Sequence, residues 1–305
     1  MRNGTKGFVW KTLEQYSVLG IQLIIQIVLA RLLGPTVYGT LAIVNIFIAV
    51  ANVFVQKGFA TSLVRKNNCD ELDYSSVFLS SLVLSVIFSV ILFFFAPLIA
   101  FFYDNSDLTL YIRSMTIILI IGSIASVQNA KIRRELKFKL NFVASFISIT
   151  ISGIIGIVLA VEGKGIWALI IQQISYQILN IIILWLGLRW VPIHGFSFPR
   201  LKKLFSFGWK VLAVGLVDEL FAQIRNAIIG KKYDSNSLAF YNKGQQFPNL
   251  MVRSVNGSLQ AVLLPVLSKK QNEIESAKKV LRNSINLTTF IIFPVLICLF
   301  VVSGL

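Results

Sequence analysis

About nine apolar segments, each of about 20 residues or more, follow one another along this chain of 305 residues. An α-helix needs about 20 mostly apolar residues to cross the roughly 30 Å hydrocarbon core of a bilayer. The segments run over 9–33, 38–63, 75–102, 108–130, 141–161, 165–189, 206–230, 237–265 and 280–303. Charged residues make up 14% of the chain, against about 25% in soluble proteins. The sequence therefore predicts an all-α polytopic membrane protein with about nine transmembrane helices.

The basic residues are unevenly distributed between the two sides of the predicted bundle. The chain has 29 Lys and Arg against 13 Asp and Glu, a net charge of +16. Nineteen of the basic residues fall at the N-terminus and in the loops after helices two, four, six and eight, against four in the alternate loops. Basic loops are retained on the cytoplasmic side. The distribution of the basic residues therefore predicts a cytoplasmic N-terminus and contacts between the basic loops and anionic lipids. It does not indicate nucleic-acid binding. The alternative that Lys131–Lys139 docks a partner protein stays open.

The two ends of the chain share a pattern that predicts an internal repeat. The motif F-x-W-K-x-L occurs at 8–13 and again at 207–212, an offset of 199. Ala30-Arg31 and Gly230-Lys231 align at an offset of 200. Six helices separate the copies, so both copies have the same orientation in the membrane, which is a parallel repeat.

The repeat predicts two lobes of unequal length. Residues 1–195 form a complete six-helix lobe, and residues 196–305 form the first three helices of a second lobe. The sequence stops at Gly304-Leu305 directly after an apolar run. We therefore expect the second lobe to be incomplete and the chain to be truncated.

Polar side chains recur inside the predicted helices, where a charge costs roughly 2.5–3.5 kcal/mol at the helix centre. Helix eight carries a stripe at spacings of three and four that includes Gln245, Asn249, Arg253 and Asn256, and Lys243 flanks this stripe. Such spacing places the stripe on one helical face.

The remaining polar positions lie on helices two and seven. The full set of predicted substrate-pathway residues is Arg225, Arg253, Asn249, Asn256, Gln245, Lys243, Asp218, Asn226, Asn52 and Gln56. The set indicates a hydrated cavity with excess positive charge, which favours an anionic substrate because an unpaired cation in a low dielectric gains most from an anion. Two alternatives remain open: the amides serve as structural hydrogen bonds between helices, or Asp218 neutralises Arg225.

The sequence carries no pattern typical of a metal or cofactor site. Cys69, Cys298 and the single His194 lie far apart, and no phosphate loop or nucleophile elbow occurs. Asp104 and Asp107 are the only paired acids on the predicted outer side, and they leave open a membrane glycosyltransferase or polymerase, although a solvated turn is the simpler interpretation. We predict no cofactor, no metal and no enzymatic activity.

Five motifs carry a family resemblance. They are L-A-R-L-L-G-P at 29–35 followed by Tyr38-Gly39, Q-K-G-F at 56–59, N-A-I-I-G-K at 226–231, A-F-Y-N-K-G-Q-Q-F-P at 239–248, and L-P-V-L-S-K at 264–269. The chain resembles the Wzx-like polysaccharide and lipopolysaccharide flippases of the multidrug/oligosaccharidyl-lipid/polysaccharide exporter superfamily.

The resemblance implies two helical lobes, alternating access, and movement of an undecaprenyl-diphosphate-linked oligosaccharide across the bacterial plasma membrane. It also implies glycosyltransferases or a polymerase of the same pathway as partners. Members usually carry about twelve helices or more, so an inactive fragment is one alternative. A cation-coupled multidrug exporter is another, but it would need carboxylates in the first lobe, where helices one to six offer only Glu14, near a helix end.

Overall fold

The described residues of the computed structural model confirm the all-α class. They cover 2–65, 69–135, 137–193, 195–246, residue 248 and seven single positions between 282 and 297, and none of them forms a strand. The helices are α1 (Arg2–Arg65), α2 (Glu71–Phe102), α3 (Leu108–Met115), α4 (Ile117–Glu135), α5 (Phe138–Val161), α6 (Ile166–Leu188) and α7 (Phe198–Lys232). An eighth helix, α8, is described over 235–246. Most of predicted segment eight and nearly all of segment nine lie outside the described residues.

Helix α1 is two helices joined at a kink. Gly34 has φ 73° and ψ 171°, which is not helical, and a residue with a side chain rarely adopts such a positive φ. Pro35 follows it in the first turn of the next helix, where its missing N–H costs no hydrogen bond. We call the halves α1a (2–33) and α1b (35–65). They correspond to the predicted segments 9–33 and 38–63, and both supply residues to the same hydrophobic core.

Within the described residues, five stretches are long and apolar enough to cross a membrane, so the protein is a multi-pass membrane protein. The count of nine is not reached within the described residues for three reasons. Helices α1a and α1b count as one stretch, Ser17–Gln56. Helix α7 has 35 residues but carries too many polar groups to qualify. The last two segments fall mostly outside the described range.

The helices pack through small side chains and expose large ones. On α2, Ser81, Ser85 and Ser89 recur every four residues and are buried, whereas Phe94 and Phe101 are exposed. Helix α5 likewise buries a small residue every four positions, at 144, 148, 152, 156 and 160. Small residues allow close approach of backbones where lipid supplies no hydrophobic drive for helix association. The large apolar side chains then face the hydrocarbon.

The segment 189–197 between α6 and α7 is fixed to the start of α2. The buried Trp190 donates its indole N–H to Glu71 Oε2, and Glu71 Oε1 lies 2.9 Å from Lys131 Nζ. We call Glu71, Lys131 and Trp190 the linker clamp. Two hydrogen bonds from backbone N–H groups to serine side chains reinforce the clamp. Ile193 N–H donates to Ser75 Oγ at 2.9 Å, and Ser197 N–H donates to Ser76 Oγ at 3.0 Å.

The contacts between Cα atoms group the chain into two compact units, 1–239 and 240–305. The first unit contains α1 to α7 and the first turn of α8, and it holds all the packing described above. In this unit α7 lies against α1, and α5 lies against α1 and α6. The second unit is described only over 240–246, residue 248 and the seven single positions.

Candidate substrate pathway

A continuous string of hydrogen bonds runs along one face of α7. Gln223 Nε2 donates to Glu219 Oε1 at 2.9 Å, and Asn226 Nδ2 donates to Gln223 Oε1 at 2.9 Å. The three residues are spaced by four and three positions, so they share a helical face, and all three are half-buried. We call Glu219, Gln223 and Asn226 the α7 polar string. Of its members, only Asn226 was among the predicted pathway residues.

Arg225 and Asp218 lie on a different face of α7 from the polar string, and both are exposed. No carboxylate of the described residues forms an ion pair with Arg225. Its guanidinium carbon instead lies 5.8 Å from the ring centroid of Phe221. Asp218 is on the same face as Arg225, but seven residues separate them by about 10.5 Å along the axis. Asp218 therefore does not neutralise Arg225.

A second polar group lies within the first unit, where α1b meets α4 and α6. Gln56 Nε2 donates to Asn52 Oδ1 at 3.0 Å. A Cβ added to Gly122 of α4 would lie 2.8 Å from Gln56 Nε2 and 3.7 Å from Gln177 Oε1. The missing side chain of Gly122 thus provides the space into which amides of two other helices project.

The amides of α6 are half-buried within a membrane-spanning stretch. They are Gln172, Gln173, Gln177 and Asn180. None of them forms a hydrogen bond with another group in the part of the chain that the structure describes. Polar groups at such positions normally face a bundle interior or a water-filled cavity. The arrangement supports a wet pathway more strongly than a set of paired structural amides.

In the second unit, two predicted pathway residues are described. Gln245 Nε2 donates to Tyr241 OH at 2.7 Å, and Lys243 is half-buried. The other helix-eight positions predicted for the pathway, Asn249, Arg253 and Asn256, lie outside the described residues. The single polar stripe on helix eight remains a prediction for them.

The end of α7 and the beginning of α8 contact the kink of α1, and the sequence analysis missed this. Thr36 Oγ1 donates to Asn236 Oδ1 at 2.8 Å. A Cβ on Gly39 would lie 1.7 Å from the Ser235 carbonyl oxygen, so only glycine permits this approach. We call Thr36, Gly39, Ser235 and Asn236 the kink junction. Thr36 and Asn236 are 200 positions apart. This separation equals the offset of the predicted repeat, so the repeat was the sequence signal from which the contact could have been found.

The turn after α2 is fixed to the same end of α7. Asp104 Oδ2 lies 2.8 Å from Lys231 Nζ, and Tyr103 OH donates to the Ala227 carbonyl oxygen at 3.4 Å. Burial raises the pKa of the Tyr103 phenol. Asp104 is thus an ion-pair partner, which weakens the alternative that assigned it to a glycosyltransferase site. Among the described residues, no group of three or more His, Cys, Asp or Glu could hold a metal ion.

Asp234 caps the beginning of α8. The Ser237 backbone N–H donates to Asp234 Oδ1 at 2.8 Å, which satisfies a donor that the first helical turn leaves open. Hydrogen bonds from the Ser237 side chain and backbone lower the pKa of the Asp234 carboxyl. The cap is therefore complete at neutral pH and is lost only as the pH falls through this lowered value.

The comparisons with known proteins agree with these features. A family profile described as polysaccharide biosynthesis protein matches residues 28–305. The chain belongs to this family. The family member is 25% identical to the teichuronic acid biosynthesis protein TuaB of Bacillus subtilis over 97% of this chain and 62% of that protein.

Two further relatives have export-related names. The succinoglycan biosynthesis transport protein ExoT of Rhizobium meliloti is 22% identical over 96% of this chain and 59% of its own length. The lipopolysaccharide biosynthesis protein WzxC of Escherichia coli is 21% identical over 98% of this chain and 61% of its own. The family member thus spans about three fifths of the length of these relatives. No solved structure matches the chain.

Proposed function

We propose that this polysaccharide biosynthesis family member functions in a transporter that flips an undecaprenyl-diphosphate-linked oligosaccharide across the bacterial plasma membrane by alternating access. The glycan is of the O-antigen, capsule, exopolysaccharide or teichuronic-acid type. The observation that carries the proposal is α7, a 35-residue helix in a bundle of apolar helices. It presents the α7 polar string on one face and Arg225 on another, and Arg225 has no carboxylate partner among the described residues.

The chemistry of the substrate matches these groups. A diphosphate carries concentrated negative charge, and a guanidinium binds phosphate oxygens through charge-assisted hydrogen bonds. Arg225 has no carboxylate partner among the described residues, so an incoming diphosphate would not have to displace one. The amides of α1b, α6 and α7 offer donors and acceptors in the pairs that sugar hydroxyls require.

The arrangement in the membrane follows from the charges and the repeat. We place the N-terminus and the basic loops in the cytoplasm, where the loops contact anionic lipids, and we place glycosyltransferases or a polymerase of the pathway as partners. We assign 1–195 and 196–305 to two lobes. The Thr36–Asn236 bond supports the repeat, because equivalent residues that touch each other must lie on the axis that relates them. The protein moves its substrate without changing it.

Replacement of Arg225 in the full-length protein tests this function. We expect Arg225→Ala to slow translocation about tenfold or more, because a hydrogen bond to a charged group contributes about 1.5–3 kcal/mol, and Arg225→Lys to retain part of the rate. The measurement is the fraction of lipid-linked oligosaccharide that a membrane-impermeant sugar-oxidising reagent reaches in intact cells.

Lys232→Ala is the matched control, since Lys232 is an exposed basic residue at the end of the same helix. Equal rates for Arg225→Ala and the parent would contradict the role of Arg225. Loss of the whole gene with unchanged surface glycan but altered sensitivity to cationic compounds would replace the flippase with a multidrug exporter.

A further inference from the structure

An apolar crevice of about 360 Å³ lies between three helices of the first unit. Helix α1b lines it between Ile46 and Ala51, α2 lines it between Phe88 and Leu92, and α7 lines it from Leu220 to Ala227. Its size falls at the lower end of the range for ligand pockets, which bind mainly through apolar walls and a few polar groups. Gln223 is the one polar side chain that lines it.

Gln223 connects the crevice to the polar string. Its amide bonds to Glu219 on one side and to Asn226 on the other, while its side chain also lines the crevice. On α7 the apolar wall of Leu220, Ile224 and Ala227 therefore adjoins a half-buried polar face. A ligand that used both faces would have a hydrocarbon chain and a polar head.

Membrane-spanning helices form part of the crevice. Its α1b and α2 walls belong to the membrane-spanning stretches Ser17–Gln56 and Glu71–Phe102. Leu220 and Ile224 on its α7 wall are 41% and 52% exposed. Apolar side chains on α7 thus remain accessible to a hydrocarbon chain at the mouth of the crevice.

We propose that this crevice binds part of the isoprenoid chain of the lipid-linked saccharide while its head group is in the polar pathway. The inference rests on the proposed function and adds the position of the lipid chain to it. Gln223 connects the crevice to the α7 polar string. This connection favours the lipid-linked saccharide over an ordinary phospholipid, because a phospholipid has no saccharide to form hydrogen bonds in the polar pathway. Burial of the chain beside the pathway would hold the substrate during the movement of its head group.

Photolabelling of the full-length protein in membranes tests the crevice. The probes are an undecaprenyl diphosphate with a diazirine on its chain and a phosphatidylethanolamine with the same diazirine on an acyl chain. We expect the prenyl probe, but not the phospholipid probe, to label peptides from the crevice walls. Ala227→Leu should lower this labelling about tenfold, because the larger side chain would occupy part of the crevice volume that the prenyl chain needs. Ala222→Leu, the same change at an exposed position of α7 outside the crevice, should leave it unchanged.

A second pair of variants covers the case in which Ala227→Leu does not fold. Ile224→Gln adds a polar group to the crevice wall, and Ile228→Gln makes the same change at a similarly exposed position that does not line it. Only the first should lower labelling by the prenyl probe. Equal labelling by the prenyl and phospholipid probes would overturn the crevice assignment. So would prenyl labelling that does not differ between the crevice variant and its control in either pair of variants. If Arg225→Ala still blocks translocation in that case, the proposed function stands without the crevice.

Discussion

Gly39→Ala should break the kink junction and produce the largest single effect in the first unit. The new Cβ would lie 1.7 Å from the Ser235 carbonyl oxygen and 2.8 Å from its Cα. These are backbone atoms, so no side-chain rotation relieves the clash, and the beginning of α8 has to move away from α1b. Overpacking of this kind costs about 1–3 kcal/mol or more. The Thr36–Asn236 hydrogen bond should be lost with it.

Chemical cross-linking measures this displacement. Thr36→Cys and Asn236→Cys, introduced into full-length protein that lacks Cys69 and Cys298, should be joined by a short bis-thiol reagent, because their parent side chains are 2.8 Å apart. The yield should fall sharply when Gly39→Ala is added. Gly20→Ala is the matched control, since Gly20 is a helical glycine of α1a and a Cβ there meets nothing within 4 Å. An unchanged yield with Gly39→Ala would show that the junction accommodates a side chain.

Glu71→Ala should release the linker clamp and destabilise the first unit by about 2 kcal/mol. This value lies between the 3–5 kcal/mol for breaking a buried ion pair and the 0–1 kcal/mol for an exposed pair, because the Lys131 side chain is 15% exposed and that of Glu71 is 50% exposed. The change also leaves the Trp190 indole N–H without its acceptor. The segment 189–197 should then detach from α2.

Thermal unfolding in detergent, followed through tryptophan fluorescence, provides the measurement. Glu135→Ala is the control, since Glu135 pairs at 2.6 Å with Lys137, whose side chain is 50% exposed against 15% for Lys131. Surface changes of this kind usually stay within about 0.5 kcal/mol. If both variants shift the midpoint equally, the clamp contributes no more than an ordinary surface ion pair.

The length and spacing of apolar segments predicted most of the helices because a spanning helix satisfies its backbone hydrogen bonds internally, whatever its neighbours. The break between the apolar runs 9–33 and 38–63 predicted the end of one helix and the start of the next, and the structure has its kink in this break, at Gly34. The spacing of Asp218 and Arg225 likewise predicted a shared face. It left open whether they pair, since a shared face does not bring side chains two turns apart within reach.

Contacts between distant parts of the chain were decided only by the tertiary structure. Asp104 and Lys231 are 127 positions apart, and no local pattern distinguishes an acid in an exposed turn from one that anchors another helix. Gly39 was part of a family motif, but its role depends on a backbone that approaches from 196 positions further along the chain. In the sequence, Gln223 is one more polar residue on a helix. Only the packing of α7 beside α1b and α2 places it between an apolar crevice and a polar string.

The sequence by itself thus determined which segments are helices and which residues share a face, because both depend on local periodicity. The tertiary structure decided which faces meet, because this depends on the close approach that small residues allow between helices far apart in the chain.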